Sequence, residues 1–77
     1  MTKKELKNIL IKAREKKNLT HEQVASLVDK GITRQYYGMI ENGDRTPSVT
    51  VAKSIAEVLD IEWTIFFELE SNQKLQN

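Results

Sequence analysis

The stretch from Thr20 to Ser48, THEQVASLVDKGITRQYYGMIENGDRTPS, constrains the fold more than any other part of the chain. Thr20 followed by Gln23 has the form of a capping box, in which a hydroxyl and an amide satisfy the unpaired N–H groups of a new helix. Val24, Ala25 and Val28 then make a narrow apolar stripe, with Leu27 widening it. Gly31 ends this helix, because glycine enters the left-handed region freely. Ile32 can fold back onto the last turn. Thr33 offers a second N-cap, and Tyr37 with Ile40 gives the inward pair of a helix whose other face is polar. Helices this short are not stable alone, since nucleation is costly and each buries one stripe. They need neighbours, and the second needs a reason for its exposed Arg34, Gln35, Tyr36 and Met39.

The rest of the chain supplies the neighbours. Residues 3–17 read as a first helix, with Leu6, Ile9, Leu10 and Ala13 on one face, Thr2 and Glu5 as its capping box and Asn18 just past its end. Asn42-Gly43 closes the third helix, with Gly43 in the left-handed position. Pro47 then stands near the start of a fourth helix, where no N–H partner is needed. Val49, Ala52, Ile55, Ala56 and Leu59 form the buried stripe of that helix. A fifth helix, opened by Asp60 or Glu62, is expected around Trp63 to Leu69. Ile61 and Phe66 read as core, and residues 71–77 as a polar, frayed tail. The expected fold is all-α, a single domain over residues 1–70.

Seventy-seven residues allow one small domain. The absence of cysteine excludes disulfides, thiolate metal sites and a cysteine nucleophile. One histidine and no phosphate-binding glycine loop leave no nucleophile–base pair at a recognisable spacing, so no catalytic residue, metal site or cofactor is expected and the protein is not read as an enzyme. No apolar run approaches the roughly 18 residues of a membrane span. The N-terminus also lacks the apolar segment of a signal peptide, so the cytoplasm is the expected location. Charge is polarised. Residues 1–34 hold nine basic against four acidic residues, and residues 35–77 hold three against seven. Lys3, Lys4, Lys7, Lys16 and Lys17 either face phosphates or merely solvate the first helix.

These residues together resemble the helix-turn-helix of the Cro/repressor (XRE-type) family of bacterial and phage DNA-binding proteins. The resemblance is carried by Leu19-Thr20, Val24-Ala25, Gly31-Ile32-Thr33-Arg34, Ile40-Glu41-Asn42-Gly43 and Arg45-Thr46-Pro47-Ser48. Arg14 upstream and Ala52, Ile55, Ala56 and Leu59 downstream extend it to residues 6–67. It implies a compact five-helix lambda-repressor-like domain with the helix-turn-helix at helices 2 and 3. It also implies a partly buried ion pair between Arg14 and Glu41, and a homodimer formed around helix 5, through Trp63 and Phe67. In one respect the chain departs from the family pattern: Ala25 to Thr33 is longer than usual, with Asp29-Lys30 as the extra pair, which bears on how the third helix docks.

A DNA-reading role gives each exposed residue a task. Arg34 can donate two hydrogen bonds to guanine, Gln35 can pair with adenine, and Met39 can meet a thymine methyl group. Tyr36 offers a hydroxyl to base or phosphate, and Thr33 is both N-cap and phosphate contact. His21 and Gln23 at the start of helix 2, and Asn42 and Arg45 beyond helix 3, are the candidate backbone anchors. Gly38, costly in mid-helix, points to a close approach either to helix 2 or to DNA. The expected function is a double-stranded DNA-binding transcriptional regulator, a repressor, acting as a dimer on a near-palindrome. The rival is an antitoxin whose acidic, aromatic second half sequesters a protein toxin. A dedicated RNA binder is disfavoured, because Tyr36 and Tyr37 lie on a helix and form no stacking platform.

Overall fold

The computed structural model describes residues 1–69 of the 77, so the expected tail at 71–77 lies outside the described residues. Four α-helices and one short 3-10 helix follow in order: α1 Lys3–Lys16, α2 His21–Leu27, α3 Arg34–Glu41, α4 Val49–Leu59, then the 3-10 helix Trp63–Phe67. Among the described residues there is no strand. Helix starts fall where the hydroxyls are. Thr2 and Thr20 close reciprocal capping boxes with Glu5 and Gln23, while Thr33 and Ser48 accept from the third backbone N–H of α3 and α4. Asn18 follows the cap of α1 in the left-handed region at φ 58°, as its side chain permits.

The core is shared by all five elements. Leu10, Val24, Tyr37, Ile40, Ala52 and Ile55 are fully enclosed, with Leu6, Leu59 and Phe66 almost so. Ala13, Ile32, Ile61, Trp63 and Ile65 pack around the edge. Among the described residues no helix is long and apolar enough to cross a membrane.

Four expectations change. Helix 2 does not run to Gly31 but stops at Leu27. Val28 turns extended (φ −65°, ψ 139°), which drives its side chain into the core at 3 % exposure. The Ile32 N–H then returns to the Ala25 carbonyl at 3.1 Å, so Ile32 caps the helix through its backbone. Between them Lys30 and Gly31 take consecutive left-handed conformations, and Ser54 Oγ of α4 accepts from the Asp29 N–H at 2.8 Å. The extra pair is thereby tied to α4. With α2 this short, Leu27 sits outside the stripe of Val24 and Ala25 and is 57 % exposed, so it does not widen the buried face.

Val49 also leaves its predicted stripe. As the first residue of α4 it has no preceding turn to cover it, and it is exposed. The expected fifth helix is a five-residue 3-10 helix, Trp63–Phe67. Asp60 reverses the chain at φ 59°, and Glu62 gives the next element no side-chain cap. The segment WTIFF, all β-branched or aromatic, has low helix propensity and stays short. Packing fixes it instead, with Phe66 buried beneath it and Leu69 closing the core.

Candidate nucleic-acid interface

The geometry of α3 is decided by its inner face. Tyr37 and Ile40 are completely enclosed and Glu41 is 3 % exposed. A carboxylate so placed is costly unless fully paired. Glu41 is fully paired. Arg14 of α1 donates Nε to Oε1 at 2.9 Å and Nη2 to Oε2 at 3.4 Å. The Tyr37 hydroxyl donates to Oε1 at 3.0 Å, and His21 Nε2 lies 2.7 Å from Oε2. Arg14 spends a further N–H on the Leu19 carbonyl at 3.0 Å, which fixes the turn into α2. One buried carboxylate therefore joins α1, α2 and α3.

The electrostatics follow from this arrangement. Burial pushes the Glu41 carboxyl up, but hydrogen bonds from Arg14 and His21 and their charges outweigh it, holding the group below the ordinary carboxylate range. Its hydrogen bond and charge stabilise the Arg14 guanidinium further. Burial, then the neighbouring Glu41 charge, raises the Tyr37 hydroxyl, which stays protonated as a donor.

The outer face is different. Thr33 caps the helix through Oγ1, 3.0 Å from the Tyr36 N–H, and is exposed at its mouth. The Arg34 and Gln35 side chains are exposed and make no hydrogen bond or ion pair among the described residues. Met39 follows on the same side at 37 % exposure. Tyr36 is half-buried, with the Arg45 guanidinium 5.7 Å from its ring centre. Arg45 is held there because the Asp44 and Arg45 N–H groups both reach the Met39 carbonyl. Asn42, the C-cap, is exposed beside it. Across α2, Thr20, His21 and Glu22 share a surface groove with Arg14 and Arg34.

The sequence-derived site residues therefore fall into three groups. Thr33, Arg34, Gln35 and Met39 form one open edge, flanked by Tyr36, Asn42 and Arg45. Gln23 lies at the start of α2, but its Oε1 accepts from the Thr20 N–H at 2.8 Å, leaving only its amide N–H groups to offer. His21 shares the groove with Arg34, yet its Nε2 is committed to Glu41. Sequence reasoning found the Arg14–Glu41 pair but missed the two other donors. The spacing of Tyr37 and Glu41, one helical turn apart, was a usable signal; nothing in the sequence pointed His21 at a residue twenty positions away.

The remaining candidates lie elsewhere. Of the α1 lysines, Lys3 is 4.0 Å from Asp44 near the end of α3, whereas Lys16 and Lys17 line a groove with Leu59, Asp60 and Ile61. Trp63 is half-buried between Lys53, 4.9 Å from its ring centre, and Phe67, edge-on at 6.0 Å. Phe67 is 39 % exposed. Among the described residues no cluster of His, Asp and Glu could hold a metal ion.

A family model described as helix-turn-helix matches residues 10–66. Over 68 residues the chain is 50 % identical to a protein of Bacillus subtilis (strain 168), described as an uncharacterized HTH-type transcriptional regulator, YqaF. The match covers 88 % of this chain and 87 % of that protein. No solved structure matches significantly.

Proposed function

The chain belongs to the XRE-type helix-turn-helix family, and from that premise we propose that it is a sequence-specific regulator of transcription that reads double-stranded DNA with α3 in the major groove. One observation carries the reading: Arg34, Gln35 and Met39 of α3 are exposed, while the inner face of Tyr37, Ile40 and Glu41 is buried and locked to α1 and α2 through Glu41. A rigid helix with a free donor-rich edge suits the major groove, where base pairs differ in their donor and acceptor patterns. Arg34 reads guanine, Gln35 adenine, and Met39 a thymine methyl group. Thr33, Tyr36, Gln23, His21, Asn42 and Arg45 hold the backbone on either side.

A protomer this small offers few contacts, so the operator is a near-palindrome bound by a homodimer, with half-sites about 34 Å apart. Trp63 and the exposed Phe67 form the dimer contact. Binding at a promoter then represses by occupying the site, and no chemistry is required of the protein.

Selection of bound sites from random duplex DNA, with the wild type and with Arg34→Ala, tests this reading. The wild type should yield a two-fold-related motif. The variant should lose preference at one base pair per half-site, worth about 1–3 kcal/mol, while keeping salt-sensitive binding. An unchanged motif would remove Arg34 from the reading edge, and the absence of any motif would refute specific recognition.

A further inference from the structure

We propose that His21 is a proton-linked phosphate contact: held from behind by Glu41, its ring donates from Nδ1 to a DNA backbone phosphate only when protonated, so that duplex binding takes up a proton from solvent. The proposal rests on the DNA-binding reading above, and adds to it a dependence of affinity on pH.

The geometry points to this in three steps. His21 Nε2 lies 2.7 Å from Glu41 Oε2. An ionised carboxylate only accepts, so Nε2 carries the hydrogen whether or not the ring is charged. In the neutral ring Nδ1 is therefore a bare lone pair, which repels a phosphate oxygen. A proton added there turns the same atom into a charged donor. Second, Nδ1 has no hydrogen-bond partner among the described residues, and the side chain is 38 % exposed in the groove it shares with Arg34. Third, Gly38 borders this edge of the ring. A Cβ at position 38 would come no closer to anything than 3.9 Å, from His21 Nδ1, so packing does not require glycine there. The missing side chain instead leaves the approach to Nδ1 uncovered, which gives a mid-helix glycine a purpose.

Charges of both signs surround the ring. Arg14 of α1 and Arg34 of α3 oppose an imidazolium, while Glu41 of α3 and Glu22 of α2 favour it. Tyr37, edge-on at 5.5 Å, stays neutral. An arriving phosphate adds a further negative charge at hydrogen-bond range, which favours the protonated ring.

Affinity for a short mixed-sequence duplex, measured by fluorescence anisotropy at fixed ionic strength between about pH 6 and pH 8, tests the inference. Affinity should rise toward acid, by at most about tenfold per pH unit for one linked proton. His21→Gln should bind more weakly and lose the slope. That variant also separates His21 from any other proton-linked group. Because His21 is the chain's single histidine, its ring NMR signals need no assignment. They should titrate at higher pH with duplex present than without, a shift that a purely structural histidine would not show. Wild-type affinity independent of pH, a slope that survives in His21→Gln, or ring titration unaffected by duplex would each overturn the proposal while leaving the DNA-binding reading intact. No duplex binding at any pH would overturn both.

Discussion

The two long edges of α3 are built on opposite principles. On the inner edge every polar atom is paired: Glu41 receives Arg14, His21 and Tyr37, and its neighbours Tyr37 and Ile40 see no solvent. On the outer edge Arg34 and Gln35 are exposed and, among the described residues, without partners. An arginine and a glutamine left unpaired contribute little to folding, but a ligand meets them without first breaking a bond. The inner edge sets where the helix stands; the outer edge is free to vary in what it contacts. Stability and recognition thus fall to different residues of one eight-residue helix.

If that division is real, substitutions on the two edges must differ in size and in readout. The largest effect belongs to Glu41→Gln. It removes the buried charge facing Arg14, and the cost of an unpaired buried partner is about 3–5 kcal/mol, read as a fall in thermal midpoint. The sign with pH follows from the depressed Glu41 carboxyl. A group whose folded value is lowered stabilises fully above its unfolded value and loses that contribution as pH falls through the folded one. Wild-type stability should therefore fall with acid from the ordinary carboxyl range, near the value of 4.5, downward, and Glu41→Gln should lose part of that slope. An acid profile identical in the two proteins would deny Glu41 its central place.

A smaller effect, of opposite sign, is expected at Gly38→Ala. No neighbour crowds the new methyl group, so the fold should gain roughly 0.5–1 kcal/mol from helix propensity, measured by denaturant unfolding. A loss of stability would mean that α2 and α3 approach more closely than their contacts indicate. Smallest of all should be Arg34→Ala, which should shift unfolding by no more than about 0.5 kcal/mol while changing DNA preference. If it destabilised the fold as strongly as Glu41→Gln, the two edges would not be separate.

The same contrast explains what could be read from the chain before its fold was known. Caps are local: Thr2, Thr20, Thr33 and Ser48 each bond an N–H three residues away, and the first three starts were legible from their caps, whereas the fourth was marked only by Pro47. Apolar stripes are nearly local, and Leu6, Leu10, Tyr37, Ile40, Ile55 and Leu59 were found by periodicity. Periodicity failed at helix ends and in the shortest element. Leu27 ends a helix of seven residues, Val49 is the first residue of a helix of eleven, and the expected fifth helix is five residues of 3-10.

By itself, then, the sequence determined where three helices begin and roughly where a fourth does, most of the stripes they bury, and that the Arg34–Gln35 edge has no apolar reason to be covered. Only the tertiary structure decided where α2 stops, because Val28 leaves the helix to reach a core built by other elements. It alone decided that His21 faces Glu41, and that Asp29 is tied to Ser54 across twenty-five positions. The physical reason is range. A cap or a stripe is fixed by residues within one or two turns, whereas a buried charge finds its partners only after packing has excluded water around it.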